Sequence, residues 1–133
     1  MRNFKELDIW ITGMEIAKSV YGLSSQLPNH EKFGLTSQIT RAAVSIPSNI
    51  AEGCAKSSEK DFKRFLEIAL GSAFELETQL LVILDLDLVE KKKLKELLTL
   101  VQMEQKKLGG FISSVKKRIA INSLKPKTQY PET

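Results

Sequence analysis

Gln38-Ile-Thr-Arg-Ala-Ala-Val-Ser-Ile-Pro-Ser-Asn-Ile-Ala-Glu-Gly53 is the stretch on which the fold turns. On a helix advancing about 100° per residue, Ile39, Ala43, Ile46, Ile50 and Gly53 share one side. Gln38, Arg41, Ser45, Asn49 and Glu52 share an adjacent stripe. An ordinary surface helix opposes its apolar face with freely soluble Lys and Glu. This stripe is instead made of hydrogen-bonding groups that specify geometry, so it should lie against something. Pro47 removes a backbone donor and crowds the carbonyl one turn earlier. A bend is expected there, eased by the Ser45 and Ser48 hydroxyls bonding nearby carbonyls.

Outward from this stretch, the chain reads as helix throughout. Upstream, a first helix opens at Leu7 or Asp8, carries Trp10, Met14, Ala17, Tyr21 and Ser24 on one side with Ile16, Val20, Leu23 and Leu27 beside them, and is stopped by Pro28. The helical spacing makes Trp10 and Tyr21 core aromatics rather than ligand contacts. Thr36 or Ser37 is expected to cap the second helix. Downstream, Ser57 or Ser58 caps a third, with Ser58-x-x-Asp61 approximating a capping box.

The third helix carries the longest apolar ladder in the chain, Phe62, Phe65, Ala69, Ala73, Leu76, Leu80 and Ile83. A second run, Leu66, Leu70, Leu81 and Leu84 with Phe74 close by, is displaced from it by roughly 100°. A helix apolar on two sides is either central or shared with another subunit. A four-helix domain has no central helix, so these four leucines are expected at subunit contacts. After a turn at 86–89, the fourth helix places Leu94, Val101, Leu108 and Val115 at intervals of seven, with Leu97, Leu98, Phe111, Ile112 and Ile119 filling in. That is a bundle seam. Gly109-Gly110 interrupts it, and close packing or a local irregularity is expected there.

Four amphipathic segments with short connections predict an all-α, antiparallel up-down-up-down four-helix bundle over residues 1–122. The remaining 123–133, with two prolines and no periodicity, read as a disordered tail. A chain of 133 residues with 42% hydrophobic and 27% charged residues is ordinary for one globular domain. No apolar run approaches the roughly 20 residues needed to span a bilayer, and Met-Arg-Asn-Phe-Lys-Glu is too polar for a signal peptide. A cytoplasmic protein without membrane association is expected. A single cysteine, Cys54, excludes an internal disulfide, and together with one histidine, His30, it cannot complete a four-ligand zinc site.

The formal charge of +4 is unevenly placed. Residues 58–89 hold three Lys or Arg against seven Asp or Glu, a net of −4, while residues 90–122 hold nine against three, a net of +6. Helices of opposite sign should attract as neighbours. On the fourth helix Lys92, Lys95, Lys106 and Lys117 fall within about 60° of one another. With Lys107 and Arg118 they make a cationic stripe suited to phosphates, with no aromatic groups for base stacking.

The stretch from Gln38 to Gly53 resembles the signature of small bacterial four-helix-bundle proteins called 23S rRNA-intervening sequence proteins, Gln-x-x-Arg-Ala-(Ala/Ser)-x-Ser-x-(Pro/Ala)-x-Asn-Ile-Ala-Glu-Gly. The likeness continues through Phe65-Leu66-x-Ile68-Ala69-x-Gly71-Ser72-x-x-Glu75-Leu76-x-Thr78-Gln79-Leu80 and, more loosely, Trp10 and Tyr21. It implies homopentameric assembly. Through the related accessory proteins of diversity-generating retroelements, it also implies RNA or DNA and a protein partner such as a reverse transcriptase. No settled activity comes with it.

Arg41, Glu52 and Glu75 read as an acid/base set only if a nucleophile accompanies them, and none does. No phosphate loop, dinucleotide fingerprint or metal motif is present, so no enzyme and no cofactor or metal is expected. The preferred reading is a structural network in which Gln38, Arg41, Ser45, Asn49 and Glu52 of the second helix meet Ser72, Glu75 and Gln79 of the third. An Arg41–carboxylate bond would then fix helix register, and its loss would destabilise the fold by about 3 to 5 kcal/mol. The function expected is a non-enzymatic oligomeric nucleic-acid-binding or scaffolding protein, with a protein-protein adaptor as the alternative.

Overall fold

A computed structural model describes residues 2–124. After a 3₁₀ turn at Phe4–Glu6 come four helices, with a second 3₁₀ turn, Asn29–Glu31, between the first two: α1 (Asp8–Ser24), α2 (Leu35–Cys54), α3 (Glu59–Asp85) and α4 (Lys91–Leu124). Each packs on its neighbour in the chain, and α4 closes the ring against α1. The directions alternate. Arg118 near the end of α4 pairs with Glu59 at the start of α3, and Lys107 pairs with Asp8 at the start of α1. Among the described residues no helix is long and apolar enough to cross a membrane.

The core is the expected set of stripes. Ile16, Ile39, Ile46, Ile50, Phe62, Leu76, Leu80, Ile83, Leu94, Val101, Leu108 and Val115 have no solvent exposure. Their burial in one continuous cluster supplies the main stabilisation of the bundle. Trp10 is half-buried and meets the Phe4 ring edge-on at 5.2 Å, whereas Tyr21 is 57% exposed and is not a core aromatic. At the end of α1 the buried stripe is Val20, Leu23 and, just beyond the helix, Leu27, and Tyr21 lies to the side of it.

Helix ends show which side chains hold the connections. Ser58 accepts from the Asp61 amide at 3.1 Å, as its box predicts. Thr36 and Ser37 do not cap α2. The helix starts at Leu35, and the Glu31 carboxylate, folded back from the 3₁₀ turn Asn29–Glu31, accepts from the Leu35 amide at 3.1 Å. A carboxylate there also complements the helix dipole. At the end of α3, Asp87 adopts φ 55°, and the Asp87 and Leu88 amides bond back to the Leu84 and Ile83 carbonyls. That is the left-handed stop that reverses the chain into α4. Helix α4 runs on through Ser123 and Leu124, which the sequence assigned to the tail; the rest of that tail lies outside the described residues.

Two glycine expectations divide. The α2–α3 turn is tight because Gly53 has no side chain: a Cβ there would sit 2.8 Å from Cβ of Phe65 and 3.3 Å from the Phe62 ring. At Gly109 and Gly110 the opposite holds. Helix α4 is continuous through both, and a Cβ on either meets nothing within 4 Å. The expected close packing or irregularity is absent. Gly53→Ala should therefore destabilise the protein by about 1 to 3 kcal/mol in urea melts, since the opposing Cβ cannot rotate away. Gly109→Ala should stabilise it by up to about 1 kcal/mol.

Candidate functional site

The polar stripe of α2 meets α3 through a much smaller network than its composition suggests. Ser45 Oγ lies 2.8 Å from Ser72 Oγ across the α2–α3 seam. The Asn49 amide donates to the Ser45 carbonyl at 2.8 Å and to its hydroxyl at 2.9 Å. The carbonyl bond in this turn is therefore made by Asn49 rather than by the Ser45 or Ser48 hydroxyl expected to make one, and the Ser45 hydroxyl bonds across the seam. One turn further along α3, Gln79 donates to Glu75 at 3.1 Å within the same helix. Ala42 and Ala43 of α2 and Ala69 and Ala73 of α3 are buried, and side chains this small let two packed backbones come close.

Arg41, Gln38 and Glu52 stand outside this network. All three are exposed, and Arg41 joins no ion pair among the described residues. Glu75 is exposed as well. The expected Arg41–carboxylate bond is replaced by two hydroxyls and an amide. The physical reason is rotation: the close alanine approach points Ser45 and Ser72 at each other and leaves longer side chains on the same stripe beyond the seam, in water.

Of the four leucines expected at subunit contacts, Leu66 is 0% exposed and belongs to the core, so it has no surface to offer a second copy. Leu70 and Leu84 are half-buried against the core, and Leu81 is 42% exposed. The outward side of α3 is nonetheless apolar. The exposed residues between Ile68 and Val82 are Ile68, Gly71, Phe74, Glu75, Thr78, Leu81 and Val82, of which only Glu75 is charged.

The cationic stripe is also partly engaged. Lys92, Lys95, Lys106 and Lys117 are exposed. Lys107 is held by the Asp8 carboxylate at 2.8 Å and donates to Thr12 Oγ1 at 3.1 Å, and Arg118 is bonded to Glu59, which also receives Arg2. Glu59 is the one carboxylate of α3 paired with a cation of α4 among the described residues. Elsewhere Gln102 and Gln105 of α4 both donate to Glu77 at 2.9 Å, holding its carboxyl below the usual range. Cys54 ends α2 in a buried position, and burial pushes its thiol up against the opposing influence of Arg2.

The group that sequence reading missed is Glu104. It occupies a core position of the α4 seam between Val101 and Leu108 and is 0% exposed, with neither carboxyl oxygen hydrogen-bonded. Oε2 lies 3.2 Å from where a Cβ on Gly13 would sit; Ile46 and Pro47 close the same spot at 3.4 Å. Burial pushes its pKa from 4.5 to about 8, against the lowering influence of Lys107. The signal was present in the sequence, because the interval of seven that picks out Val101 and Leu108 places an acid three residues after the first and four before the second.

Arg41→Ala should leave the melting midpoint within about 0.5 kcal/mol of the parent, as an exposed unpaired position does, while Ser45→Ala should cost about 1 kcal/mol through the Ser72 bond. For Glu104, the native state keeps a proton that the unfolded chain releases near pH 4.5, so stability falls as pH rises from there towards 8. The slope is about 1.4 kcal/mol per pH unit from this group. Urea titrations of the parent and Glu104→Gln should diverge by about 3 kcal/mol between pH 4.5 and 7 in favour of the variant.

A model of the 23S rRNA-intervening sequence protein family matches residues 5–110. No curated protein matches the chain. Among solved structures, the chain is similar to the crystal structure of a protein with unknown function from the S23 ribosomal protein family of Bacteroides thetaiotaomicron VPI-5482. The two are 28% identical with a TM-score of 0.73, over 78% of this chain and 97% of that one. The family match takes in α1, α2 and α3 and reaches Gly110 on α4, so it rests on the bundle as a whole, and the chain belongs to the 23S rRNA-intervening sequence protein family.

Proposed function

We propose that the protein is a self-assembling scaffold of the rRNA intervening-sequence type, acting by binding rather than by catalysis, in the cytoplasm. The observation that carries this reading is the outward side of α3. An apolar strip containing Ile68, Phe74, Leu81 and Val82, each more than 40% exposed, is costly to leave in water and is the kind of patch that marks an interface. A homo-oligomer, taken as a pentamer from the family resemblance, would cover it with copies of itself. Leu70 and Leu84 flank the strip, and Leu66 has no part in it.

Assembly gives the α4 stripe its meaning. Four exposed lysines on one helix attract phosphate weakly, but repeating Lys92, Lys95, Lys106 and Lys117 around a ring multiplies the contacts and steepens affinity through counterion release. The partner class is RNA or DNA held through its backbone, without base reading. The adaptor reading, in which a protein such as a reverse transcriptase is the partner, draws on the commitment of Lys107 and Arg118 within the chain, which leaves the stripe two cations shorter.

Light scattering on the purified protein should give a multiple of the 14.9 kDa subunit, and Phe74→Glu with Leu81→Glu should return it to a folded monomer. A monomeric parent overturns the scaffold. Binding to RNA or DNA should weaken steeply between about 50 and 200 mM salt. It should be lost in Lys95→Glu with Lys106→Glu while the melting temperature stays put; unchanged binding in that variant moves the adaptor reading ahead.

A further inference from the structure

Glu104 and Lys107 lie three residues apart on α4, hence on adjoining positions of one face, yet they point their charges to different places. Lys107 reaches over to α1, where Asp8 and Thr12 hold it. Glu104 turns into the core against Gly13, Ile46 and Pro47 and holds nothing. The absent side chain at Gly13 makes the room: any Cβ there would press on Oε2. The charged groups acting on Glu104 are Asp8 and Glu15 from α1 and Lys107 from its own helix; α2 and α3 contribute none, and the α2 wall is Ile46 and Pro47.

We propose that Glu104 and Lys107 form a proton-gated clasp on the α1–α4 seam. With the Glu104 carboxyl neutral, Lys107 ties α4 to Asp8 and Thr12; when Glu104 gives its proton to solvent, Lys107 transfers to the new carboxylate and lets the start of α1 go. The competition between partners decides the direction. The Asp8 side chain is 72% exposed, so water replaces Lys107 there at little cost. Among the described residues a Glu104 carboxylate has no hydrogen-bond partner in its buried position, and an unpaired buried charge is far more costly than a broken surface pair. Asp8 and Glu15 both oppose the negative charge, which sharpens the demand for Lys107.

The consequence falls on a groove of about 500 Å³ beside the clasp, lined by Asp8, Ile9, Lys106, Phe111, Ser114 and Arg118 among others. Its α1 wall is held by the bonds that Lys107 makes, so release of Lys107 loosens that wall. The α1–α4 contact is the slimmest of the four helix pairings, and it is therefore the one a single clasp governs most.

Carbon-13 detection of the Glu104 side-chain carboxyl in the unmodified protein tests the first half without any substitution: it should titrate with a midpoint near 8. Amide hydrogen exchange tests the second. After correction for intrinsic rates, protection of the Ile9–Ile16 amides should drop about tenfold or more across this titration while α2 and α3 are unchanged. Glu104→Gln should hold that protection constant with pH. Lys107→Gln should lower it at every pH, abolish the step, and shift the Glu104 midpoint upward. A carboxyl titrating near 4.5, a step that survives in Lys107→Gln, or loss of protection spread evenly over all four helices each overturns the proposal.

Discussion

The bundle depends on the closeness of α2 to α3. Gly53 lets the end of α2 rest against Phe62 and Phe65, and alanines at 42, 43, 69 and 73 keep the backbones near each other along the seam. Only at that separation do two hydroxyls as short as Ser45 and Ser72 meet at 2.8 Å. The bond is modest in energy, about 1 kcal/mol, but it is available at one register alone. Small residues set the distance, and the serines choose the alignment.

That closeness also explains why the outer side of α3 is left over. A helix drawn tightly to α2 and packed on α4 turns Leu66 inward and sends Phe74 and Leu81 outward. The second apolar run of α3 is thereby split between the chain's own core and its surface. The surface share, Ile68 to Val82 with one charged residue among its exposed positions, is what the scaffold reading draws on.

Across the molecule, the α1–α4 seam is governed by different physics. Beside Gly13 and the Thr12 hydroxyl it contains three ionisable groups, a buried carboxyl, a lysine and the exposed Asp8. Neutral contacts of the first kind are indifferent to pH, whereas the second kind is poised by the free energy of placing one charge in the buried core. One bundle thus joins a seam that specifies geometry to a seam that titrates.

Periodicity alone determined the number of helices, their boundaries to within a few residues and almost every member of the core, because burial of an apolar stripe is dictated by spacing along one segment. It also determined the Ser58 cap, a local contact within four residues. What the tertiary structure decided was each question that hangs on rotation between segments. Arg41 and Ser45 lie on one stripe, and a modest turn of α2 about its axis separates the residue in water from the residue in the seam. Glu31 caps α2 only because the preceding turn folds back. The interval of seven on α4 marks Glu104 as a seam position, but that the acid is left unpaired depends on Gly13 and Pro47, distant in the chain, closing against it.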